Sequence, residues 1–133
     1  MSAASDLATV LHTAGIGTLG DTLFWGRGLT DTPDTQIAVQ QYSGFSPEIA
    51  MTAVAGQVIA ERPRCQIVCR AREYTVAEAQ ARLAWNALTN YGAAPGAGSL
   101  MHVTPVQSPF SMGPDEQNRW KVGFNVDCWI QGA

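Results

Sequence analysis

The chain has 133 residues, 46% of them apolar and only 14% charged, with eight Lys and Arg against eleven Asp and Glu. This length allows one domain with its own core and excludes two ordinary ones, so residues 1–133 read as a single domain. The balance is mildly acidic and no basic tract argues for gripping nucleic acid; no apolar run approaches the ~20 residues of a membrane helix. The N-terminus lacks a charged-then-apolar signal pattern, which reads as synthesis in the cytoplasm with no membrane partner. A charged fraction this far below the usual quarter reads either as surface meant for burial against another protein or as a consequence of glycine and alanine content.

Residues 5–14 read as a first helix, with Ser5 or Ser2 as N-cap, Asp6 in the first turn, and Leu7, Val10, Leu11 and Ala14 as a narrow apolar stripe ended by Gly15. A glycine-rich turn leads into a short strand, Thr22 to Trp25. After the turn-forming cluster Thr30-Asp31-Thr32-Pro33-Asp34 a second strand runs from Gln36 to Tyr42, and the two are expected to pair antiparallel through a wide hairpin. The stretch from Ser43 to Pro63 fits a helix turn or two about as well as an extended arm. Gly44, Pro47 and Gly56 cut it into pieces too short for a stable helix, which favours a projecting loop or β-arm. Its apolar content points to contact with a neighbouring subunit.

The centre of the chain is a strand, Arg64 to Arg72, running into a helix opened at Thr75. Cys65, Ile67, Cys69 and Ala71 alternate with Arg64, Gln66, Arg70 and Arg72, so one strand face is buried and one wet. Thr75-Val76-Ala77-Glu78 reads as a capping box. Val76, Ala79, Leu83, Ala84, Ala87, Leu88 and Tyr91 would line the core side of the helix, with Gln80 the polar exception and Gly92 as C-cap. A small-residue linker from Ala93 to Ser99 follows, then a strand from Leu100 to Val106, a connection from Gln107 to Arg119, and a last strand. There Trp120, Val122, Phe124, Val126, Cys128 and Ile130 face the core, opposite Lys121, Gly123, Asn125, Asp127 and Trp129. The last two strands should pair antiparallel. The expected fold is α+β, a mostly antiparallel sheet of four to five strands with two helices packed on one face.

No catalytic, cofactor or metal set emerges. Cys65 and Cys69 share a strand face but stand ~13 Å apart at ~3.3 Å per residue, too far to share a zinc ion with His12 or His102. The three cysteines read as small buried hydrophobes. Ser108 and Ser111 lack a nucleophile context, and Asp115 and Glu116 read as a solvated turn. Gly15-Ile16-Gly17 and Gly96-Ala97-Gly98 lack the strand-to-helix setting of a phosphate loop. Arg70 and Arg72 on the wet face could meet DNA, an acidic partner or water, with water the default reading.

The order of segments resembles a known family. The first helix ending in Gly15-Ile16-Gly17-Thr18-Leu19-Gly20, then Leu23-Phe24-Trp25-Gly26 and Asp31-Thr32-Pro33-Asp34, is similar to the first part of the phage minor capsid and tail terminator proteins. Arg62-Pro63-Arg64 leading into Val68-Cys69-Arg70-Ala71-Arg72, the helix start Tyr74-Thr75-Val76-Ala77-Glu78-Ala79, then Gln107-Ser108-Pro109-Phe110 and Gly113-Pro114-Asp115-Glu116 continue it over nearly the whole chain. The departure is Ser43 to Gly56, longer and more apolar than the family pattern. The resemblance implies a non-enzymatic virion protein of a long-tailed phage or phage-like particle, found at the head-tail interface. It implies a hexameric ring of identical copies that caps the tail tube, stops its growth and docks the head connector. DNA would pass through the lumen without sequence-specific binding. Candidate subunit-interface residues are Phe45, Ile49, Met51 and Val54 of the apolar stretch and Phe110 and Met112 of the later connection. The alternatives are a head-completion or adaptor ring on the portal side, or a small α+β enzyme or ligand-binding domain using the cleft between helix and sheet.

Overall fold

The computed structural model describes residues 3–26, 28–31, 33–49, 58–89 and 100–131. Helix α1 (Ala3–Thr13) precedes strands β1 (Leu23–Trp25), β2 (Gln36–Ile49) and β3 (Val58–Ala71). Helix α2 (Tyr74–Thr89) and strands β4 (Leu100–Pro105), β5 (Phe110–Pro114) and β6 (Trp120–Gln131) follow. The six strands form one sheet in the order β1-β2-β3-β6-β4, with β5 pairing β6 beside β4. The α+β class holds, with one strand more than expected: β5 was hidden in the Gln107–Arg119 connection.

The core follows from period-two alternation. Cross-strand rows Ile37–Cys69–Val122 and Val39–Ile67–Phe124 point to the same face. Cys65, Ala71, Val126 and Cys128 extend that face, and all of these side chains are buried. Leu7 and Leu11 of α1 and the stripe Ala77, Ala81, Ala84 and Leu88 of α2 cover it. Alanines at four-residue and three-residue steps let α2 lie close to the sheet. The helix is therefore rotated from the expected orientation: Val76 and Leu83, assigned to the core, are 45% and 58% exposed. The longer apolar side chains made the more hydrophobic stripe in sequence, but the close-packed sheet accepts only the small one. Helix α2 also begins one residue before the proposed cap, with Ala77 N–H donating to the Glu73 carbonyl. Helix α1 begins at Ala3, so Ser5 lies within its first turn.

The end of α1 is a Schellman cap. Gly15 N–H donates to His12 O at 3.0 Å and Ile16 N–H to Leu11 O at 3.1 Å, with Gly15 at φ 78°. Ile16 then packs against the core edge.

One further expectation changes. Strands β1 and β2 pair in parallel, not antiparallel, with Leu23, Phe24 and Trp25 opposite Ile37, Ala38 and Val39. A parallel pair needs the chain to return along the length of its first strand. Because β1 has only three residues, the short connection from Gly26 to Thr35 suffices. The described parts of the Ser43–Pro63 stretch are strand: β2 and β3 form one long hairpin with bulges near Tyr42 and between Phe45 and Glu48, its last described rung being Ile49 with Val58. The β-arm reading thus holds for the strand portions. The linker from Ala93 to Ser99 and the proposed cap at Gly92 lie outside the described residues.

Candidate assembly surfaces

The helix-free face of the sheet carries the outward residues of the same strands, beginning with Gln36 opposite Arg70 and Arg70 opposite Lys121. The β1–β2 connection crosses this end and is held by two buried side chains. Arg70 Nε donates to Asp34 O at 3.0 Å, and its Nη2 to Thr30 O at 2.6 Å and Pro33 O at 2.8 Å. Gln36 Nε2 donates to Thr30 O and Pro33 O, and Gln36 Oε1 accepts from Thr30 N–H. The expectation that Arg70 meets water is corrected: its guanidinium donates to three loop carbonyls, of which that of Asp34 receives no hydrogen bond from Gln36. Arg72 remains exposed and pairs with Asp34 at 2.6 Å.

Arg119 adds the second clamp, from the β5–β6 turn. Its Nη1 donates to Asp31 O and to Asp34 Oδ1, and its Nε to Asp115 Oδ2 at 2.8 Å. The turn is closed by Asn118 N–H donating to Asp115 O, with Asn118 at φ 60° and Asp115 Oδ1 accepting from the N–H groups of Gln117 and Arg119. Asp115 is thus the turn residue expected, and an anchor besides. Burial pushes its carboxyl up, but the amides of Arg119 and Gln117 and the Arg119 guanidinium outweigh this and hold it below the ordinary carboxylate range. Arg72 and then Arg119 do the same for Asp34 against some desolvation. The hydrogen bonds of Arg70, Gln36, Asp115 and the Nε and Nη1 of Arg119 in this corner all go to loop and turn groups.

Farther along the same face, Arg64 forms a two-point pair with Asp127, which holds the guanidinium charge in place. Arg62 lies over the Trp129 ring at 4.4 Å, and Tyr42 is 52% exposed. Gly123 lets β6 approach β3 and admits Met112: a Cβ there would stand 2.5 Å from Ile67 O and 2.8 Å from Met112 Cε. The opposite side of the molecule has an open groove of about 500 Å³ between the α1 cap and α2, bordered by Ala14, Ile16, Val76, Ala79, Gln80 and Leu83. Among the described residues no charged side chain borders it. The Gln80 Oε1 is buried without a hydrogen-bond partner.

The thiols take no part in a surface. Burial pushes the Cys69 thiol up to about 12, and a hydrogen bond to Cys65 together with burial pushes Cys128 up as well. No cluster of three metal-ligating side chains occurs among the described residues. His12 Nδ1 accepts from Leu19 N–H at 3.3 Å, and His102 lies on β4, opposite Trp129.

The family model described as bacteriophage tail terminator protein matches residues 10–130, from the last turn of α1 almost to the end of β6. The chain belongs to this family. A solved structure of the virion of a native gene transfer agent (GTA) particle contains a chain that shares the tail terminator's fold. The TM-score is 0.55 at 12% identity, covering 95% of this chain and 84% of that one. No curated protein matches the sequence. Membership makes the chain a structural component of a virion tail, in contact with other virion proteins.

A tail terminator must expose surfaces for such contacts, and three stand out. Besides the groove, β2 is paired to β1 only through Val39, which leaves its edge from Gln40 to Ile49 without a partner strand among the described residues. Strand β4 ends the sheet on the other side. Of the expected interface residues, Phe45 and Ile49 lie on β2 beside that open edge, while Met51 and Val54 lie outside the described residues. Phe110 is partly exposed on β5, opposite Gly123, and Met112 is half-buried over Gly123. Sequence reasoning missed the groove altogether, because its borders Val76 and Leu83 were assigned to the core. The regular Ala77–Ala81–Ala84–Leu88 spacing was the signal that could have exposed the error.

Proposed function

We propose that the protein terminates the tail: identical copies close into a hexameric ring on the end of the tail tube, stop its polymerisation, and offer the other face to the head connector. One observation carries this reading. Among the described residues each copy presents different unfinished surfaces, the open β2 edge on one side of the sheet and the β4 edge on the other, and a head-to-tail ring needs two unlike patches per subunit. The apolar residues Phe45, Ile49, Met51 and Val54, with Phe110, are then subunit contacts. Met112 is better read as packing against its own Gly123. Helices and sheet share one core, which supports reading the chain as a single domain.

With a net charge of −3 and its buried arginines committed to loop carbonyls, the ring would let DNA pass without gripping it, since phosphate contacts are what hold DNA. The virion role supports a structural protein that turns over no substrate. Particle assembly in cells lacking the protein tests the proposal. Tubes of uncontrolled length without heads are expected, and added purified protein should cap them with a ring visible by electron microscopy. Tails of normal length with heads attached, formed in its absence, would overturn it. A label fixed to the chain should mark the tube end nearest the head; a label on the portal of tailless heads would favour the head-side adaptor.

A further inference from the structure

We infer that the groove between the α1 cap and α2 receives the apolar stretch from Ile49 to Ile59 of a neighbouring copy. The inference rests on the self-assembly proposed above and names the contact that makes it.

Three observations single out this occupant. The groove is mainly apolar, with Thr35, Thr75 and Gln80 its polar side chains, carries no charge among the described residues, and is bordered by two large side chains, Val76 and Leu83, that the protein's own core leaves outside. Such a face on a small protein marks a docking surface. The Ile49–Ile59 stretch matches it in kind: between Glu48 and Glu61 it carries no charge, and Ile49, Met51, Val54, Val58 and Ile59 supply the bulk. The third observation is placement. Thr35, at the start of β2, borders the groove, whereas the β2–β3 hairpin has its last described rung at Ile49 and Val58. Along β2 that separation is about 40 Å at ~3.3 Å per residue, and only residues 50–57 remain to join the strands. Doubling back, so short a connection reaches about 13 Å, well short of its own groove. A second copy supplies the same stretch without that limit. Knob and hole at opposite ends of one strand are unlike patches, as repetition around an axis requires.

Cysteine pairing in assembled particles tests the contact. Particles carrying Val54→Cys with Leu83→Cys are oxidised and resolved under denaturing, non-reducing conditions. A ladder of covalent multimers is expected. Val54→Cys with Val106→Cys, whose second site is exposed on the far side of the sheet next to β4, should give none. The native thiols Cys65, Cys69 and Cys128 are buried and do not contribute. Rings seen by electron microscopy with no ladder from the first pair, or equal ladders from both, would overturn the inference while the ring reading stands. Absence of any ring would remove the ring reading and this contact with it. As an independent measure, Leu83→Arg should weaken self-association by about tenfold or more while the melting temperature stays unchanged, because Leu83 lies outside the core. Unweakened association of that variant would equally overturn the inference.

Discussion

Replacing Arg70 with leucine removes the fork that holds the β1–β2 connection against the sheet. Arg70 is 3% exposed and donates to three carbonyls. Two of these, on Thr30 and Pro33, also accept from Gln36, so the carbonyl of Asp34 suffers most. Losing a charge-assisted hydrogen bond costs about 1.5–3 kcal/mol, and weakening of the shared bonds adds to this. Leucine also escapes the desolvation of a buried guanidinium and its repulsion by Arg119, the causes that lower the Arg70 pKa, and these offset part of the loss. The balance is a destabilisation of about 2–4 kcal/mol, a large share of the roughly 5–15 kcal/mol that keeps a domain folded. For a chain of this size that lowers Tm by about 10 °C, readable by circular dichroism melts and by the urea midpoint. Arg70→Lys separates the causes. The nearest carboxylate oxygen, on Asp115, is 4.0 Å away, so if charge dominated, lysine would restore full stability. If the planar fork matters, lysine recovers only part. An Arg70→Leu protein melting within about 2 °C of the parent, or a lysine variant equal to the parent, would refute the reasoning.

Gly123→Ala should destabilise by about 1–3 kcal/mol or more, because its Cβ meets the Ile67 carbonyl; adding Met112→Ala should not restore the loss, since the backbone contact remains, and urea titration measures both. Gly15→Ala meets no atom within 4 Å, so only the cost of a left-handed alanine remains, about 1 kcal/mol by thermal melt. Asp115 and Asp34 have lowered carboxyl pKa values in the folded chain, so their contribution is fully present above the unfolded value of about 4 and is lost as pH falls through the lowered folded values. The melting temperature should therefore fall between pH 4 and pH 2 more steeply for the parent than for Asp115→Asn, which starts lower at pH 7. Parallel curves would remove Asp115 from the account.

Strands β3 and β6 were legible because each has one buried and one wetter face, and a period of two survives in sequence from Cys65 to Ala71 and from Val122 to Ile130. The cap at Gly15 was legible because glycine alone relieves a positive φ there. What failed had physical reasons. Helix α2 carries two competing stripes, and hydrophobicity favours Val76 and Leu83 although the available space favours alanine. Strand β5 has exposed or half-exposed side chains and a bulge before Gly113, so it lacks alternation. The parallel β1–β2 pair depends on Arg70 and Gln36 reaching a loop, a contact that local pattern does not encode. The apolar character of the Ile49–Val54 stretch could be read directly, but its counterpart groove could not, since it exists only once α2 has settled on its alanine face.

Strand β6 is the sheet's late arrival. Its partner β3 is complete dozens of residues earlier, and Arg64 meets Asp127 across a separation of 63 positions. On the ribosome the nascent β3 edge must wait for β6 to emerge before the middle of the sheet can close, and contacts this distant slow folding. Polypeptides stalled before Trp120 would lack the strand that β3, β4 and β5 all join, so fragments would be poor recruits to a growing particle. Translation thus acts as a quality gate: only chains synthesised through β6 can compete for a place in the particle.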